Sequence, residues 1–405
     1  MTSPQSVAIV GGGMGGFSTA HELRHRGYEG PITILDPFGA PYDRPPLSKD
    51  YFLQERSAED IQLIKSEWYA EHNVTVLAEK AVSIHPNEGV VVTEADTKVP
   101  GEVIVLATGG VARKLHIPGN DLDTVLQLRT KEDADKLREA IAGGKRLTII
   151  GAGLIGAEVA SSALKHGASV TLIDPSETPL VPAVGETLAK RLHAMHTEKG
   201  VTVVRGIPTE IFVDQDGTNV RTEDGETYAG DVVLVGIGII PLTDLAEDAG
   251  LEEDNGTLVD EAQRTTHPNV YAVGDSSRTR LRDGTLLRRA EHWEHAMNTG
   301  KTAAAAILGQ DLPVHSAPWF WSDRHGVHVE GVGAMWTEHG ETVIREVDGV
   351  PVAAFRLNEN GELVGCAAID DALAVRAARR IIDRKITVDP AQLADPTFNL
   401  KKLAK

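Results

Sequence analysis

The chain has 405 residues, of which 41% are apolar and 24% charged, an ordinary composition for a folded globular protein. At roughly 150 residues per domain, this length predicts two or three domains. The 40 basic and 59 acidic residues give a net charge of −19, which disfavours a nucleic-acid partner because an acidic surface repels phosphates. We expect no membrane partner, because no apolar run approaches the roughly 18 residues of a spanning helix.

The first predicted elements form a strand, a glycine-rich turn and a helix. Val7–Val10 is a β-branched run typical of a buried parallel strand, and Gly11, Gly13 and Gly16 follow it in G-x-G-x-x-G spacing. The first glycine permits a tight turn, the second lets the backbone approach a pyrophosphate, and the third lets helix and strand pack closely. A second strand then ends at Asp36, about 20 residues on, where a carboxylate accepts ribose hydroxyls. The segment therefore predicts a dinucleotide site, with the helix beginning near residue 17.

The same pattern recurs further along the chain. Gly151, Gly153 and Gly156 follow a predicted strand, a helix is expected from about residue 157, and the next strand ends at Asp174. Two such units predict two dinucleotides or a tandem pair of related domains. We expect one dinucleotide to be a tightly held flavin and the other a diffusible nicotinamide.

The residues after the second acid bear on which nicotinamide binds. Asp174 is followed by Pro175, Ser176 and Glu177, with no Arg or Lys nearby to neutralise a 2′-phosphate. Because a carboxylate repels a phosphate, we expect NADH to be preferred to NADPH. The alternative interpretation of Asp174 is an ordinary solvated turn residue.

Five further segments carry a resemblance that covers nearly the whole chain. They are PYDRPPLSK at 41–49, ATGG at 107–110, LRT at 128–130, YAVGD at 271–275 and PWFWSD at 318–323. Together they resemble the FAD-dependent NADH–ferredoxin reductases of bacterial cytochrome P450 and aromatic-ring dioxygenase systems. The first and last segments are the most specific. Arg324 departs from the pattern, since this family commonly has Gln after Ser-Asp.

The resemblance implies an α/β fold of the glutathione reductase type. Two Rossmann-like dinucleotide-binding domains, one interrupted by the other, would be followed by a C-terminal α+β domain with an antiparallel sheet, to which dimerisation and partner binding would fall. The expected boundaries are 1–110 and 240–314 for FAD, 111–239 for NAD and 315–405 for the C-terminal domain. Strands predicted at 343–347 and 352–357 agree with that sheet.

The resemblance also implies cofactor contacts outside the glycine turns. The backbone at Val82 would meet the adenine, Arg129 would approach the phosphates, Asp275 would hold the ribityl chain, and Trp293 would border the flavin ring. The candidate cofactor-binding residues are Gly11, Gly13, Gly15, Gly16, Asp36, Arg44, Lys49, Val82, Thr108, Gly109, Arg129, Asp275, Trp293, Gly151, Gly153, Ile155, Gly156, Asp174 and Gly238.

Three residues are candidates for the catalytic step. By resemblance, Lys49 would favour reduced anionic flavin, Glu158 would lie beside the nicotinamide and pair with Lys49, and Trp321 would lie beside the flavin toward the ferredoxin. The alternatives are a surface lysine, a glutamate favoured by the helix dipole, and a core tryptophan. For Asp275 the alternative is a helix cap. The histidines show no metal-ligand pattern, so we expect no metal.

The cysteine count limits how electrons leave the protein. Cys366 is the one cysteine, which excludes an intramolecular disulfide, a C-x-x-C redox pair, a zinc–thiolate cluster and a protein-ligated iron–sulfur cluster. We interpret it as a structural residue of a buried strand. Two electrons would therefore enter FAD as a hydride and leave singly, to an external carrier or to oxygen.

An acidic ferredoxin would need a local basic face on this acidic chain. Two arginine-rich segments are candidates, and ordinary solvated charge is the alternative for either. The first contains Arg278, Arg280, Arg282, Arg288 and Arg289, and the second Arg376, Arg379, Arg380, Arg384 and Lys385.

The expected function is that of an FAD-dependent NADH:ferredoxin reductase. FAD, bound tightly without a covalent link, would take hydride at N5 from diffusible NADH and reduce a [2Fe–2S] ferredoxin in two single-electron steps. The alternatives are a rubredoxin reductase, an NADH oxidase or diaphorase, and a flavin redox sensor of the apoptosis-inducing-factor type. The chain start shows no secretion signal, so we expect a cytoplasmic protein, either monomer or homodimer.

Overall fold

The computed structural model describes residues 3–337 and 339–403 and separates into two compact units. Unit 1 comprises the chain up to Pro46, Arg56–Val111 and Ile239–His315, and unit 2 comprises Leu47–Glu55, Ala112–Gly238 and the chain from Ser316 onward.

The helices and strands are named in chain order. The α-helices are α1 (Met14–His25), α2 (Glu67–Glu71), α3 (Lys131–Ala140), α4 (Leu154–Lys165), α5 (Val181–Val184), α6 (Glu186–Glu198), α7 (Asp244–Asp248), α8 (Trp293–Ile307), α9 (Ala372–Asp383) and α10 (Pro390–Ala394). Short 3₁₀ turns cover Pro45–Ser48, Gly274–Ser276 and Leu400–Lys402. The strands are β1 (Val7–Val10), β2 (Ile32–Leu35), β3 (Val74–Leu77), β4 (Ala81–His85), β5 (Val90–Thr93), β6 (Lys98–Pro100), β7 (Val103–Leu106), β8 (Gly110–Ala112), β9 (Val125–Leu126), β10 (Arg146–Ile150), β11 (Ser169–Asp174), β12 (Thr202–Arg205), β13 (Pro208–Asp214), β14 (Gly217–Thr222), β15 (Thr227–Gly230), β16 (Val232–Val235), β17 (Ile239–Pro241), β18 (Thr257–Val259), β19 (Val270–Ala272), β20 (Ser277–Thr279), β21 (Trp319–Arg324), β22 (Val327–Gly333), β23 (Glu341–Val347), β24 (Val350–Leu357) and β25 (Leu363–Ile369).

Unit 1 is built on a parallel sheet of strand order β19-β7-β1-β2-β3. Its central strand β1 is buried along its whole length because helices cover the sheet, which is why its sequence is a continuous apolar run. α1 packs against α8 so closely that a side chain at Gly300 would collide with the carbonyl of Gly15. An antiparallel sheet of order β4-β5-β6 completes this part of the unit.

Unit 2 contains a second parallel sheet and a C-terminal antiparallel sheet. The parallel sheet has the order β12-β11-β10-β16-β9, and α4 follows its central strand β10. The antiparallel sheet has the order β21-β22-β25-β24-β23. Side chains such as Phe355 and Cys366 pack toward α9 on one face, while Ala354 and Ala367 pack toward α6 on the other. The predicted fold class is therefore confirmed.

Several predicted boundaries were wrong by a few residues. α1 begins at Met14 and α4 at Leu154, three residues before the predicted starts. Glycine has a low helix propensity, but tertiary packing overrides it here, and both helices take up their glycines in the first turn. The two C-terminal strands are also longer than predicted, as β23 and β24 show. The division into three domains stays a prediction, since both sheets of unit 2 lie in one compact unit.

Cys366 lies in β25 and is fully buried, as predicted. Burial raises the pKa of its thiol far above the ordinary value, with Asp371 adding to the effect. A thiol that stays protonated inside the core is a poor nucleophile and a poor redox group.

Candidate functional site

The glycines of the first turn fall into two kinds. Gly11 has φ +107°, and a side chain there would collide with the carbonyl of Ala107. Gly13 has an ordinary φ of −62°, and a Cβ built on it would have no atom within 4 Å. Neither backbone conformation nor protein packing therefore requires glycine at position 13. The space beside Gly13, at the N-terminus of α1, fits the close approach of a phosphate ligand.

The second turn in unit 2 repeats this arrangement. Gly151 has φ +105°, and a side chain there would collide with the carbonyl of Gly236. Gly153 has φ −67° and, again, no atom within 4 Å of a built Cβ. The residues of both turns thus fit a dinucleotide whose pyrophosphate approaches the backbone at the helix N-terminus.

The acid at the end of each second strand is held beside its glycine turn. Asp36 accepts the N–H of Gly12 at 2.6 Å through Oδ2. Asp174 accepts the N–H of Ala152 at 2.7 Å in the same way. Each carboxylate is thereby fixed at the carboxyl end of a parallel sheet, where α/β folds bind nucleotides.

The expectation that no basic residue lies near Asp174 is wrong. The parallel register of β11 and β12 places Arg205 directly beside Asp174. The guanidinium of Arg205 lies 3.6 Å from the carboxylate of Glu177, and both side chains are exposed. Arg205 is far from Asp174 in the sequence, so only the pairing of β11 with β12 shows that the two residues are neighbours.

Other candidate cofactor residues of unit 1 are held by specific hydrogen bonds. Thr108 donates its hydroxyl to the carbonyl of Leu242 at 2.7 Å, and the indole of Trp293 donates to Asp43 at 2.9 Å. Asp275 lies within the 3₁₀ turn, whereas the cap of α8 is His292. The cap of the 3₁₀ turn itself is Val273, so the alternative interpretation of Asp275 as a helix cap is wrong.

The remaining cofactor candidates stay predictions. Val82 and Ile155 are 45% and 40% exposed, so neither is needed in the protein core. Gly109 and Gly238 both adopt positive φ. Unit 1 contains Gly15, Gly16, Arg44, Val82 and Gly109. Unit 2 contains Lys49, Arg129, Ile155, Gly238 and the second glycine turn.

A buried ionic cluster occupies unit 2 where α4 meets β21. The ammonium of Lys49 lies 2.8 Å from Asp323 and 3.3 Å from Glu158. The pairing of Lys49 with Glu158 is the one that the resemblance implies. The ammonium also lies 5.5 Å from the ring centroid of Trp321, within cation–π range.

Glu158 is 5% exposed and accepts three hydrogen bonds. The hydroxyls of Ser48 and Ser322 each donate to it at 2.6 Å, one to each carboxylate oxygen. The N–H of Asp323 adds a third donor at 3.3 Å. A helix dipole alone therefore does not account for Glu158, because a buried carboxylate of this kind is maintained by its specific partners.

A row of polar and aromatic side chains lies along β21 and β22, on the face of the sheet that carries Trp321. Trp319 stacks on Trp321 with ring centroids 4.9 Å apart. The indole of Trp319 donates to Glu330 at 3.2 Å, and His328 bridges Glu330 and Asp323 at 3.0 and 2.6 Å. Alternation along the paired strands places these side chains on one face.

Hydrogen bonds within this row shift the pKa values of two of its members, Asp323 and His328. Burial alone would raise the pKa of Asp323, but hydrogen bonds from Lys49 and His328 outweigh it and leave the pKa below its usual value. Burial would lower the pKa of His328, but its bonds to Asp323 and Glu330 raise it overall. The arrangement favours an ionised Asp323.

Sequence reasoning missed Ser48, Ser322 and His196, which the structure places in this region. Ser48 and Ser322 lie inside the quoted motifs, yet neither was singled out. Arg324 is only 3% exposed, and the buried His196 and the half-buried His325 lie beside it with ring nitrogens 2.8 Å apart. The departure at Arg324 was the one available signal for this region.

The histidine pair predicts a loss of stability in acid. Burial, reinforced by His325 and Arg324, lowers the pKa of His196 to about 3, and burial with Arg324 lowers that of His325 to about 4. Unfolded histidines titrate near pH 6.5, so below that pH the unfolded chain binds protons that the folded chain refuses. The free energy of unfolding should therefore fall from about pH 6.5 toward pH 4, with His196 alone contributing up to about 1.4 kcal/mol per pH unit.

Denaturant unfolding between pH 4 and 8 checks this expectation. His196→Gln should flatten the acid limb, while the exposed His85→Gln should not. His328 acts in the opposite sense, because its raised pKa adds stability that is lost as the pH rises through that pKa. An unchanged slope in His196→Gln would contradict the assignment.

Known proteins match the chain along almost its full length. Residues 5–300 match the model of the family described as pyridine nucleotide-disulphide oxidoreductase, and residues 319–404 match the reductase C-terminal domain. Rhodocoxin reductase of Rhodococcus erythropolis is 33% identical over 98% of this chain and 93% of its own. The ferredoxin–NAD(+) reductase component of the anthranilate 1,2-dioxygenase system of Burkholderia cepacia is 34% identical over 98% and 99%.

A solved structure agrees with these matches. The covalent complex of putidaredoxin reductase with putidaredoxin contains a chain that superposes with a TM-score of 0.91 at 29% identity, covering 99% of this chain and 98% of that one. The present chain belongs to the pyridine nucleotide-disulphide oxidoreductase family. It is an NAD(P)-dependent flavoprotein oxidoreductase, and the family implies FAD and NAD(P)H as cofactors. Within residues 3–337 and 339–403, no helix has the length and apolarity needed to cross a membrane.

Proposed function

We propose that the chain is an NADH:ferredoxin reductase that supplies electrons to an oxygenase or cytochrome P450. The observation that carries the proposal is two open dinucleotide turns, at Gly13 and Gly153, in a chain whose single cysteine is buried. Without an accessible thiol, electrons have to leave for an external carrier. The names of the full-length relatives, which are reductases of oxygenase systems, favour a ferredoxin as that carrier.

The chain's own residues hold and orient the two cofactors. The turn at Gly13 with Asp36 would hold FAD without a covalent bond, and the turn at Gly153 with Asp174 would hold NADH. FAD, when bound, accepts a hydride from NADH and gives up electrons one at a time. Lys49 would supply positive charge for that chemistry, while Glu158 and Asp323 would fix the position of its ammonium.

The direct test is a carrier screen with purified protein. NADH should reduce the bound flavin anaerobically, and the reduced protein should pass electrons to a plant-type or adrenodoxin-type [2Fe–2S] ferredoxin faster than to a rubredoxin or to oxygen. Faster transfer to rubredoxin or oxygen would favour the alternatives on the same scaffold. Slow transfer to every carrier would favour a redox sensor instead.

The ion pairs of the structure favour one of the two candidate docking faces. The segment at 278–289 contains arginine–carboxylate ion pairs. These pairs are Arg278–Asp254, Arg280–Glu252, Arg282–Glu261 and Arg289–Glu291. On α9, Arg376 and Arg380 are exposed and one turn apart, so they share a face. We therefore assign ferredoxin docking to α9.

Reversing charge on α9 should weaken turnover of a ferredoxin and spare small acceptors. The variant Arg376→Glu/Arg380→Glu is expected to lower kcat/KM for ferredoxin about tenfold or more at low salt and to reduce its salt dependence. Ferricyanide reduction by NADH should not change. The matched control Arg280→Glu/Arg282→Glu alters the other segment equally. Equal loss of both activities, or a larger effect of the control, would overturn the docking assignment.

Arg205 and Glu177 should set the strength of the NADH preference. Because Glu177 forms an exposed ion pair with Arg205, its carboxylate partly neutralises the charge of the arginine. In Glu177→Gln, Arg205 becomes available to a 2′-phosphate, and the ratio of kcat/KM for NADPH to that for NADH should rise about tenfold. Glu177→Gln/Arg205→Gln should return the ratio to its original value. A rise that persists in the double variant would show that Arg205 is not responsible.

A further inference from the structure

Arg324 is a buried cation that belongs neither to the glycine turns nor to the ionic cluster around Lys49. It ends β21 and is 3% exposed. Its Nη2 donates to the hydroxyl of Ser322 at 2.8 Å, and its Nε has no hydrogen-bond partner among the described residues. A buried guanidinium with an unsatisfied N–H costs free energy, so packing alone is a poor reason for its presence.

The hydrogen bonds run in one direction from Arg324 to Glu158. Arginine has only donors, so the Ser322 oxygen accepts from it. The single hydroxyl hydrogen of Ser322 is then directed to Glu158, whose Oε1 lies 2.6 Å away. Because the other oxygen of Glu158 also faces a hydroxyl donor, from Ser48, both oxygens act as acceptors. The ammonium of Lys49 lies 3.3 Å from the same Oε1, so the groups around Glu158 suit the carboxylate form.

The electrostatic surroundings act in the same sense. Burial lowers the pKa of Arg324 to about 10, and the charges of Glu158 and Asp323 oppose that shift, so the guanidinium remains charged near neutral pH. The other titratable groups that face Arg324 are His193 and His196 of α6 and His325 of the adjoining turn. Each of these histidines has a lowered pKa and is neutral there, so none replaces the charge of Arg324.

We propose that Arg324 is a positioning residue that acts through Ser322 to keep Glu158 an oriented anion beside the nicotinamide turn. The inference rests on the proposed function only in placing NADH at the Gly153 turn. Glu158 lies in the same helix, two residues after the last glycine of that turn. An anion held there favours the positively charged nicotinamide of NAD⁺ and keeps the Lys49 ammonium in place.

The test is the pH dependence of NAD⁺ affinity, measured by calorimetry between pH 6 and 9 on the purified FAD-loaded protein. The wild type should bind with a nearly constant Kd. In Arg324→Met, the hydroxyl of Ser322 is no longer directed toward Glu158, so the Kd should become dependent on pH and rise on the acid side by up to about tenfold per pH unit. Arg324→Lys should restore most of the constant profile, and Ser322→Ala, which removes the link between Arg324 and Glu158, should show a pH-dependent rise of similar size.

Arg345 is the matched control, because it is also buried in unit 2 but donates, among residues 3–337 and 339–403, to the backbone carbonyls of Leu393 and Gln392 and to no side chain. Arg345→Met should lower Tm and leave the profile constant. If Arg324→Met lowers Tm with the same constant profile, Arg324 is merely structural and the proposal is overturned. The Ser322→Ala and Arg324→Lys profiles decide the question should Arg324→Met fail to fold.

Failure of the proposed function has a different signature. A wild type that binds NAD⁺ but reduces no ferredoxin would overturn the ferredoxin assignment and leave the role of Arg324 intact. A wild type that does not bind NAD⁺ at all would overturn the assignment of the Gly153 turn, and with it the role of Arg324.

Discussion

The variant Gly13→Val is expected to fold and yet to emerge without flavin. The backbone at Gly13 has φ −62° and ψ −176°, an extended conformation that valine adopts readily, and a Cβ there meets no protein atom within 4 Å. The cost to stability should be limited to about 1 kcal/mol for a poorer helix N-cap. The isopropyl group would fill the space into which the pyrophosphate of FAD has to come, and the purified protein should lack absorbance in the blue.

Gly153→Val is the reciprocal variant in the second turn. Gly153 has the same extended backbone and the same open surroundings, so the fold should again be preserved. We expect this variant to keep its flavin and to lose NADH, with KM rising about 100-fold or beyond measurement. On both proteins, absorbance spectra measure the bound flavin, Tm measures the stability of the fold, and anaerobic titration measures the binding of NADH.

Each departure from this pattern has a definite meaning. Stoichiometric FAD in Gly13→Val would show that the first turn does not bind the flavin. Loss of NADH binding in Gly13→Val, together with loss of flavin in Gly153→Val, would reverse the assignment of FAD and NADH to the two turns. Loss of fold in either variant would mean that the open space serves packing, contrary to the geometry around both glycines.

The second large effect is expected at Lys49. Its side chain is 12% exposed and lies between Glu158 and Asp323. Lys49→Met would leave Glu158 without its ammonium partner and Asp323 paired with His328, and breaking a buried pair costs about 3–5 kcal/mol when both partners are desolvated. Because Asp323 is partly exposed, the stability loss should lie at the low end. The rate of flavin reduction by NADH should fall about 100-fold, which corresponds to about 2.7 kcal/mol in the barrier.

A double variant separates the structural from the catalytic contribution of Lys49. In Lys49→Met/Glu158→Gln the buried negative charge is removed as well, so Tm should recover toward the wild-type value. The rate of flavin reduction should stay low, because the positive charge proposed to favour the reduced flavin is still missing. Lys49→Arg should retain much of the rate. Recovery of the rate in the double variant would show that Lys49 serves only to neutralise Glu158.

The family takes its name from disulphide chemistry that this chain cannot perform within itself. Its single thiol is in the core of the C-terminal sheet, with a pKa far above neutrality. The fold therefore does not specify the acceptor, and the site does. The stacked Trp319 and Trp321, with Lys49 above the second ring, are the groups that we propose to lie on the route toward an external carrier.

The geometry of both glycine turns is local in sequence, which is why it could be predicted. Each glycine turn, the strand before it and the acid after it lie within about 35 residues, and their roles follow from backbone geometry that a short segment dictates. Cys366 could be assigned to a buried strand for the same reason. The resemblance extended this to Lys49 and Glu158, whose pairing the structure contains.

Contacts across long sequence distances were decided only by the tertiary structure. Arg205 lies beside Asp174 because two parallel strands share a register. Ser48 and Ser322 donate to Glu158 from segments more than 100 residues away, and Arg324 donates to Ser322. No periodicity or spacing encodes such meetings. The sequence by itself determined that two dinucleotide turns and no accessible thiol exist. The charge balance around Glu158 was set by packing, because a buried carboxylate takes its properties from neighbours that only the folded chain assembles.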